Sequence, residues 1–383
     1  MDKIALMHPS FDVDACMAEI KECLDTGWTG PGFKTTQLED EWKKYTGLKN
    51  AYFVNSCTAS LNLTFDIFKE VYNWNDEDEV ITTPFTFVSS NHSILLAGLK
   101  PVFADIDASF CLDPKDVERK ITDKTRAVLF VGLCGNPGHY DEILKICRKN
   151  GLKLVVDAAH MAGTKVNGLF PCFEADSVNF SFHIFKTLPT ADSGMLCFKD
   201  ADLEKIARVK AWSGIDTNAY SDYALADHKT YKWHYDVPYV SNCYNGNSIM
   251  AAIGIAQLKC LDSDNDIRRR ICRKYDEAFS KYPDKITLTE LADNVESARC
   301  YYQIVVKDRD GLAKYLSENG INSGVHYIIN TNYRMYRYAK GLCRNAEYIS
   351  EHILTLPLYL KMTDEEVDRV IKYVINYVTG DAK

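Results

Sequence analysis

Apolar and polar positions along the chain follow two alternating periods. Short apolar runs bounded by small or polar residues predict strands opening at Ala51 and covering 80–88, 101–106, 127–133, 152–157, 178–182 and 195–198. Between them apolar residues return at helical spacing. Val13, Met17, Ile20 and Leu24 form one stripe closed by Gly27. Leu38, Trp42 and Tyr45 form a second, for which Thr36 and Glu39 read as a capping box. Leu61, Phe65 and Phe68 form a third, another helix closes at Gly98, and Asp113-Pro114 caps one more. Strands and helices alternating in this way predict an α/β fold with a largely parallel sheet covered on both faces.

Past residue 246 the alternation loosens. Helices are predicted at 248–261 and 264–279, a strand at 301–306, a helix at 312–318 stopped by Gly320, and a last helix capped by Thr363 and Glu366. The expected organisation is a large domain over residues 1–245 and a smaller α+β domain over 246–383. Between Gly214 and Gly246 periodicity fades while Tyr220, Tyr223, Tyr231, Trp233, Tyr235, Tyr239 and Tyr244 crowd together. A polar-aromatic segment of that length is expected to serve function or an interface.

Composition narrows the classes. With 383 residues, 46% of them hydrophobic, the chain can bury a sizeable core. A net charge of -8 argues against sequence-independent nucleic-acid binding and leaves a locally basic site open. Thirteen scattered cysteines with no Cys-x-x-Cys pair read as reduced core residues, so neither metal nor disulfide is expected. No apolar run approaches membrane-spanning length and no signal peptide is evident, so a cytoplasmic protein without membrane association is expected. No Gly-x-Gly-x-x-Gly follows the first strand, which argues against a dinucleotide enzyme.

The candidate chemistry centres on residues 176–195. An apolar run delivers Ser181, His183 and Lys186 into a turn, and Gly194 opens the next run. A partly desolvated lysine loses proton affinity, as an amine that attacks a carbonyl must. Alone, the stretch also fits a hairpin with one snorkelling lysine. Upstream, a buried strand ends on Asp157, followed by Ala158, Ala159 and His160, at the edge where open α/β sheets carry their chemistry. Acid and lysine together suggest a pyridoxal phosphate site, because the cofactor's ring nitrogen must stay protonated and a fixed carboxylate keeps it so. Ser56, Thr58 and Ala59 open a helix whose free amides suit a phosphate or a simple N-cap. Phe85 and Phe87, in an aromatic turn, fit either a ring contact or the core.

Several of these motifs recur in order in one family. Ser181-Phe-His-Ile-Phe-Lys186-Thr-Leu-Pro-Thr-Ala-Asp192-Ser-Gly194 resembles the Ser-Phe-His-x-x-Lys-x-x-Thr-x-Glu-Gly-Gly pattern of the DegT/DnrJ/EryC1/StrS nucleotide-sugar aminotransferases, and the likeness spans nearly the whole chain. The resemblance implies an aspartate-aminotransferase-like fold, the fold type I of pyridoxal phosphate enzymes. Such a fold has a mostly parallel seven-stranded sheet in the large domain.

The resemblance also implies pyridoxal 5'-phosphate carried on Lys186, with Asp157 at the ring nitrogen, His160 at the ring hydroxyl and Phe87 stacked on the ring. Ser56, Thr58, Ala59 and Ser181 would take the phosphate. His183 would act beside the lysine and touch the sugar, with Thr29, Gly30, His326 and Tyr327 near the substrate. A homodimer with shared sites is implied, in which an asparagine reaches the partner's cofactor. The family's Asn-x-Arg-Met is broken here, leaving Asn242, Asn245 and Asn247 as candidates. Cys57 stands where relatives carry glycine, and Ala191, Asp192 and Ser193 also depart from the pattern.

Ser181-Phe-His183 leans toward a dTDP-4-keto-6-deoxyhexose, aminated from L-glutamate to a 4-amino-4,6-dideoxy sugar for surface polysaccharide such as O-antigen lipopolysaccharide. A 3-keto-sugar enzyme, a sugar dehydratase and a non-catalytic sensor are the alternatives. Dehydratases of the family carry histidine in place of the lysine, so Lys186 speaks against that branch.

Overall fold

The computed structural model describes residues 3–216 and 235–381, so Tyr220, Tyr223, Tyr231 and Trp233 of the aromatic segment lie outside the described residues. Two helices, α1 (Val13–Asp25) and α2 (Phe33–Thr46), precede β1 (Tyr52–Val54) and α3 (Cys57–Val71). Then come β2 (Glu79–Thr82), α4 (Val88–Leu96), β3 (Lys100–Phe103), α5 (Pro114–Lys120), β4 (Thr125–Val131), α6 (Tyr140–Lys149) and β5 (Lys153–Asp157). The short β6 (Lys165–Val166), β7 (Ser177–Ser181), β8 (Gly194–Phe198) and α7 (Ala201–Lys210) complete this part.

Seven of these strands form one sheet in the order β1-β8-β7-β5-β4-β2-β3. Only β8 runs against the rest, pairing antiparallel with β1 and β7. The parallel strands β4 and β5 are buried almost throughout, as their unbroken apolar runs require in a sheet covered on both faces. The carboxyl ends of β2, β4, β5 and β7 therefore open along one edge, where loops and helix starts can converge. Trp42 of α2 meets Phe180 and Phe182 edge-on at 4.8 and 5.1 Å. Each such aromatic contact is worth about 1 kcal/mol beyond its buried area and here fixes the end of β7.

Two local expectations are corrected. Helix α2 begins at Phe33, so Thr36 is not its cap; Thr35 Oγ1 accepts from Gly32 N at 3.0 Å instead. Glu39 is buried and accepts from Phe53 N and Arg208 Nη2, both at 2.8 Å, tying α2 to β1 rather than capping it. Strand β3 stops at Phe103, because Asp105 Oδ1 accepts from Ile106 N at 2.9 Å and takes the place of the next ladder bond.

The helices predicted at 248–261 and 264–279 are one helix, α8 (Ser248–Phe279), with neither glycine nor proline at the expected break. Its first half gives Ala251, Ile255 and Leu261 to the core of the large sheet. Its second half gives Ile271, Cys272, Tyr275 and Phe279 to a separate core. That second core packs on a three-stranded sheet of β9 (Ile286–Leu288), β11 (Tyr302–Val306) and β12 (Ile353–Leu356), while β10 (Val295–Glu296) pairs with β6. Helices α9 (Arg309–Glu318) and α11 (Asp364–Thr379) follow the expected pattern, with Thr363 and Glu366 forming the capping box read from the sequence, while α10 (Arg344–His352) is not among the expected elements. The expected boundary at 245/246 falls just ahead of α8, which both cores share, and Ile4 packs in the second core. No helix among the described residues is long and apolar enough to cross a membrane.

Candidate active site

A cavity of about 400 Å3 opens at the carboxyl edge of the sheet. Ser56, Thr58, Phe87, Asp157, His160, Ser181, His183, Lys186, His326 and Tyr327 all line it. The chain thus gathers at one place most of the residues singled out between positions 56 and 327.

Asp157 ends β5 and is 5% exposed. Its Oδ2 accepts from Ser90 Oγ at 2.7 Å and its Oδ1 from Ala159 N at 3.0 Å. Among the described residues it makes no ion pair. Burial raises its pKa, opposed by these hydrogen bonds and by the charge of Lys186. A buried acid that faces a cavity with no cation in contact fits a protonated ring nitrogen.

His160 is buried beside it, and its Nδ1 accepts from Cys134 N at 3.2 Å. The proton of the neutral ring therefore sits on Nε2, which donates to Tyr327 Oη at 3.2 Å. Burial, and secondarily the charge of Lys186, pushes this histidine well below its ordinary pKa, so it stays neutral. His326 stacks on Tyr301 with ring centres 4.3 Å apart, and burial takes it down to about 4.

The start of α3 forms one wall. Ser56 Oγ accepts from Ala59 N at 3.0 Å, so the Ala59 amide serves the cap and Ala59 does not line the cavity. The amides of Cys57 and Thr58, at the first two helical positions, have no intrahelical acceptor. Asn179 of β7 anchors this end from below, its Oδ1 accepting from Ser60 Oγ at 2.5 Å and Thr64 Oγ1 at 3.1 Å. Cys57 turns its Sγ toward Asn179 O at 3.5 Å, and burial raises the thiol well above its usual pKa, so it stays protonated.

Gly194 explains how α3 comes so close. A Cβ there would stand 2.6 Å from Phe180 O and 2.7 Å from Cys57 N, both backbone atoms. Gly194→Ala is expected to destabilise the fold by about 1–3 kcal/mol and to push the start of α3 off the sheet. Thermal unfolding with and without pyridoxal phosphate checks this: the variant should melt lower and lose most of the stabilisation by cofactor.

Lys186 sits in the turn after β7, its N–H donating to His183 O at 2.8 Å and its Nζ 5.7 Å from the centre of the Tyr301 ring. Thr187 Oγ1 donates to Ala162 O at 3.0 Å and Thr190 Oγ1 to Phe182 O at 2.9 Å, so hydroxyls on either side pin the turn. His183 is half-exposed at the rim, 3.9 Å from Asp192.

Five candidates lie elsewhere in the chain. The carbonyls of Thr29 and Gly30 accept from Ser248 N at 3.0 and 3.2 Å. Asn242 Nδ2 donates to Tyr244 Oη at 3.0 Å, and Asn245 Oδ1 accepts from Tyr52 Oη. Asn247 caps α8, its Oδ1 accepting from Met250 N at 2.9 Å, and none of the five lines the cavity. Ser90 and Tyr301, which sequence reasoning missed, belong to the site: Ser90 holds Asp157, and Tyr301 lines the cavity beneath Lys186.

This sheet, with a lysine and a buried acid at its carboxyl edge, is the architecture of fold type I pyridoxal phosphate aminotransferases. The chain belongs to the DegT/DnrJ/EryC1/StrS aminotransferase family, whose model matches residues 12–375. It is 33% identical over 375 residues to an uncharacterized protein of Methanocaldococcus jannaschii, covering 94% of this chain and 95% of the other. It is also 33% identical over 373 residues to the spore coat polysaccharide biosynthesis protein SpsC of Bacillus subtilis, covering 94% of each. Among solved structures, Spr1654 of Streptococcus pneumoniae, a candidate sugar aminotransferase, superposes in its PMP-form with a TM-score of 0.89 at 28% identity, covering 99% of this chain and 100% of that one. The same protein is also solved in a PLP-form.

Proposed function

We propose that this enzyme transfers an amino group from an amino acid, L-glutamate first among candidates, to a keto-sugar linked to a nucleotide. The preferred acceptor is a dTDP-4-keto-6-deoxyhexose. The observation that carries the reading is Lys186 facing buried Asp157 and neutral His160 across one cavity. A sugar acceptor is supported by the polysaccharide role in the name of SpsC and by the description of Spr1654.

Pyridoxal phosphate, when bound, supplies a carbonyl that exchanges amines and a ring that withdraws electrons from the adjacent carbon. Ser56 and Ser181 hydroxyls, with the Cys57 and Thr58 amides, suit its phosphate, and the dipole of α3 adds partial positive charge. Asp157 holds a proton at the ring nitrogen. His160 Nε2–H, its tautomer fixed by the Cys134 amide, would exchange Tyr327 Oη for the ring hydroxyl as acceptor. Phe87, exposed at the mouth with its ring 6.0 Å from that of Tyr327, suits stacking on the ring. Lys186 Nζ, once displaced by the incoming amine, takes and returns the proton at the reacting carbon. His183, at the rim, suits the sugar side.

The working unit is a homodimer with shared sites. Asn242 and Asn245 lie away from their own protomer's cavity, as residues reaching a partner's site would. Product analysis by NMR tests the acceptor: incubation with L-glutamate and dTDP-4-keto-6-deoxyglucose should place nitrogen at C4. Turnover restricted to 3-keto isomers would overturn that choice and leave the transaminase reading standing.

A further inference from the structure

A second, smaller chamber of about 30 Å3 lies behind the lysine. Met7, Phe185 and Lys186 line both it and the main cavity, so the two spaces meet around that side chain. Its polar lining includes Arg268 of α8 and Ser10 of the N-terminal segment, together with His8, Thr187 and Tyr359.

Both groups lack the partner their chemistry calls for. Arg268 Nη1 donates to Asn265 Oδ1 at 2.9 Å, one turn back on its own helix. Among the described residues Arg268 makes no ion pair, which leaves the Nε and Nη2 edge of the guanidinium without an acceptor. Ser10 Oγ is buried and has no hydrogen-bond partner. A partly buried guanidinium with one edge open, beside an unpaired hydroxyl, is the donor set for a carboxylate, whose two oxygens match that edge. The chamber is of the size of such a group.

The main cavity gives the complementary argument. Among its described lining residues Lys186 is the one lysine or arginine, and that amine is committed to reaction. An amino-acid donor arrives with a carboxylate attached to the carbon that bears its reacting amine. The cation that receives it has to come from beyond those walls.

We propose that Arg268, assisted by Ser10, binds a carboxylate of the amino-acid donor in the chamber behind Lys186. This rests on the transaminase reading above. The proposal confines the effect of Arg268 to the donor half of the cycle.

The test follows discharge of the visible band of the cofactor-loaded protein by L-glutamate, L-glutamine, L-aspartate or L-alanine in wild type, Arg268→Gln and Arg268→Lys. Calorimetry with succinate, an unreactive dicarboxylate, gives a readout independent of turnover. Arg268→Gln should need at least about tenfold more donor at an unchanged limiting rate and bind succinate about tenfold more weakly, with Arg268→Lys between. The initial band and cofactor affinity should match wild type. Unchanged donor and succinate dependence in Arg268→Gln overturns the proposal alone. Loss of the band in both variants overturns it too, as a structural role would. A wild-type band that none of the four amino acids discharges sinks the transaminase reading, and the proposal with it.

Discussion

Lys186→Ala should remove the visible band of the lysine-bound cofactor and lower amination roughly 10⁴-fold. The side chain has two duties in the account, holding the cofactor and moving the proton at the reacting carbon. General acid-base catalysis alone is worth about 10²–10⁴ in rate, and no second lysine lines the described cavity wall to take over. The fold should survive, because the turn is held by Thr187, Thr190 and the Lys186 backbone rather than by the amine. Unfolding of the cofactor-free variant should stay within about 0.5 kcal/mol of wild type. A variant that keeps the band, or one that simply fails to fold, would contradict this assignment.

Asp157→Asn should separate stability from function. The carboxyl's pKa is raised in the folded chain, by burial first, so ionising it costs more there than in the unfolded chain. A raised carboxyl favours the fold at pH values below its unfolded pKa, and that advantage is lost as pH climbs through the folded pKa. Ionising Asp157 in the cofactor-free protein therefore carries a cost, offset in part by Ser90, Ala159 and the charge of Lys186. The isosteric amide removes it; its oxygen can still accept from Ala159 N, while its NH2 takes the place of Oδ2 and donates to Ser90 Oγ, whose own proton turns to Phe87 O. Cofactor-free Asp157→Asn should melt no lower than wild type near pH 7, and the difference should shrink toward acid.

Function should move the other way. A unit-charge pair at about 4 Å in an effective dielectric near 20 is worth roughly 4 kcal/mol, equivalent to about a thousandfold in rate. Amination should fall by that order, and the absorption of the bound cofactor should shift as its ring nitrogen loses its proton. Parallel losses in melting temperature and turnover would point to a structural acid instead.

What could be read in the sequence follows from where the chemistry sits. Asp157 closes one buried strand and Lys186 lies in the turn that follows another, so an apolar run giving way to polar groups marks both, and the short spacing to His160 and His183 carries the rest. Ser90 could not be found that way. It sits in the first turn of α4, far from Asp157 in sequence, and only the parallel pairing of β2, β4 and β5 brings them together. Tyr301 was hidden for a different reason: it adjoins Tyr302, and strand alternation sends one toward the cavity and the other into the second core. The cap of α2 was missed because Thr35, Thr36 and Glu39 offer two registers, and burial of Glu39 against Arg208 decides between them. Thr29, Gly30, Asn242 and Asn245 have no legible role in the cavity, which none of them lines.

The most direct test of the central claim is a full spectral cycle on the wild-type protein. After reconstitution with pyridoxal phosphate, an amino-acid donor is added and removed, and dTDP-4-keto-6-deoxyglucose is then supplied while absorbance is followed. The account predicts a visible band that the donor discharges and the keto-sugar restores, with one amino sugar formed per site. A band that the donor discharges but no nucleotide-linked keto-sugar restores would contradict it.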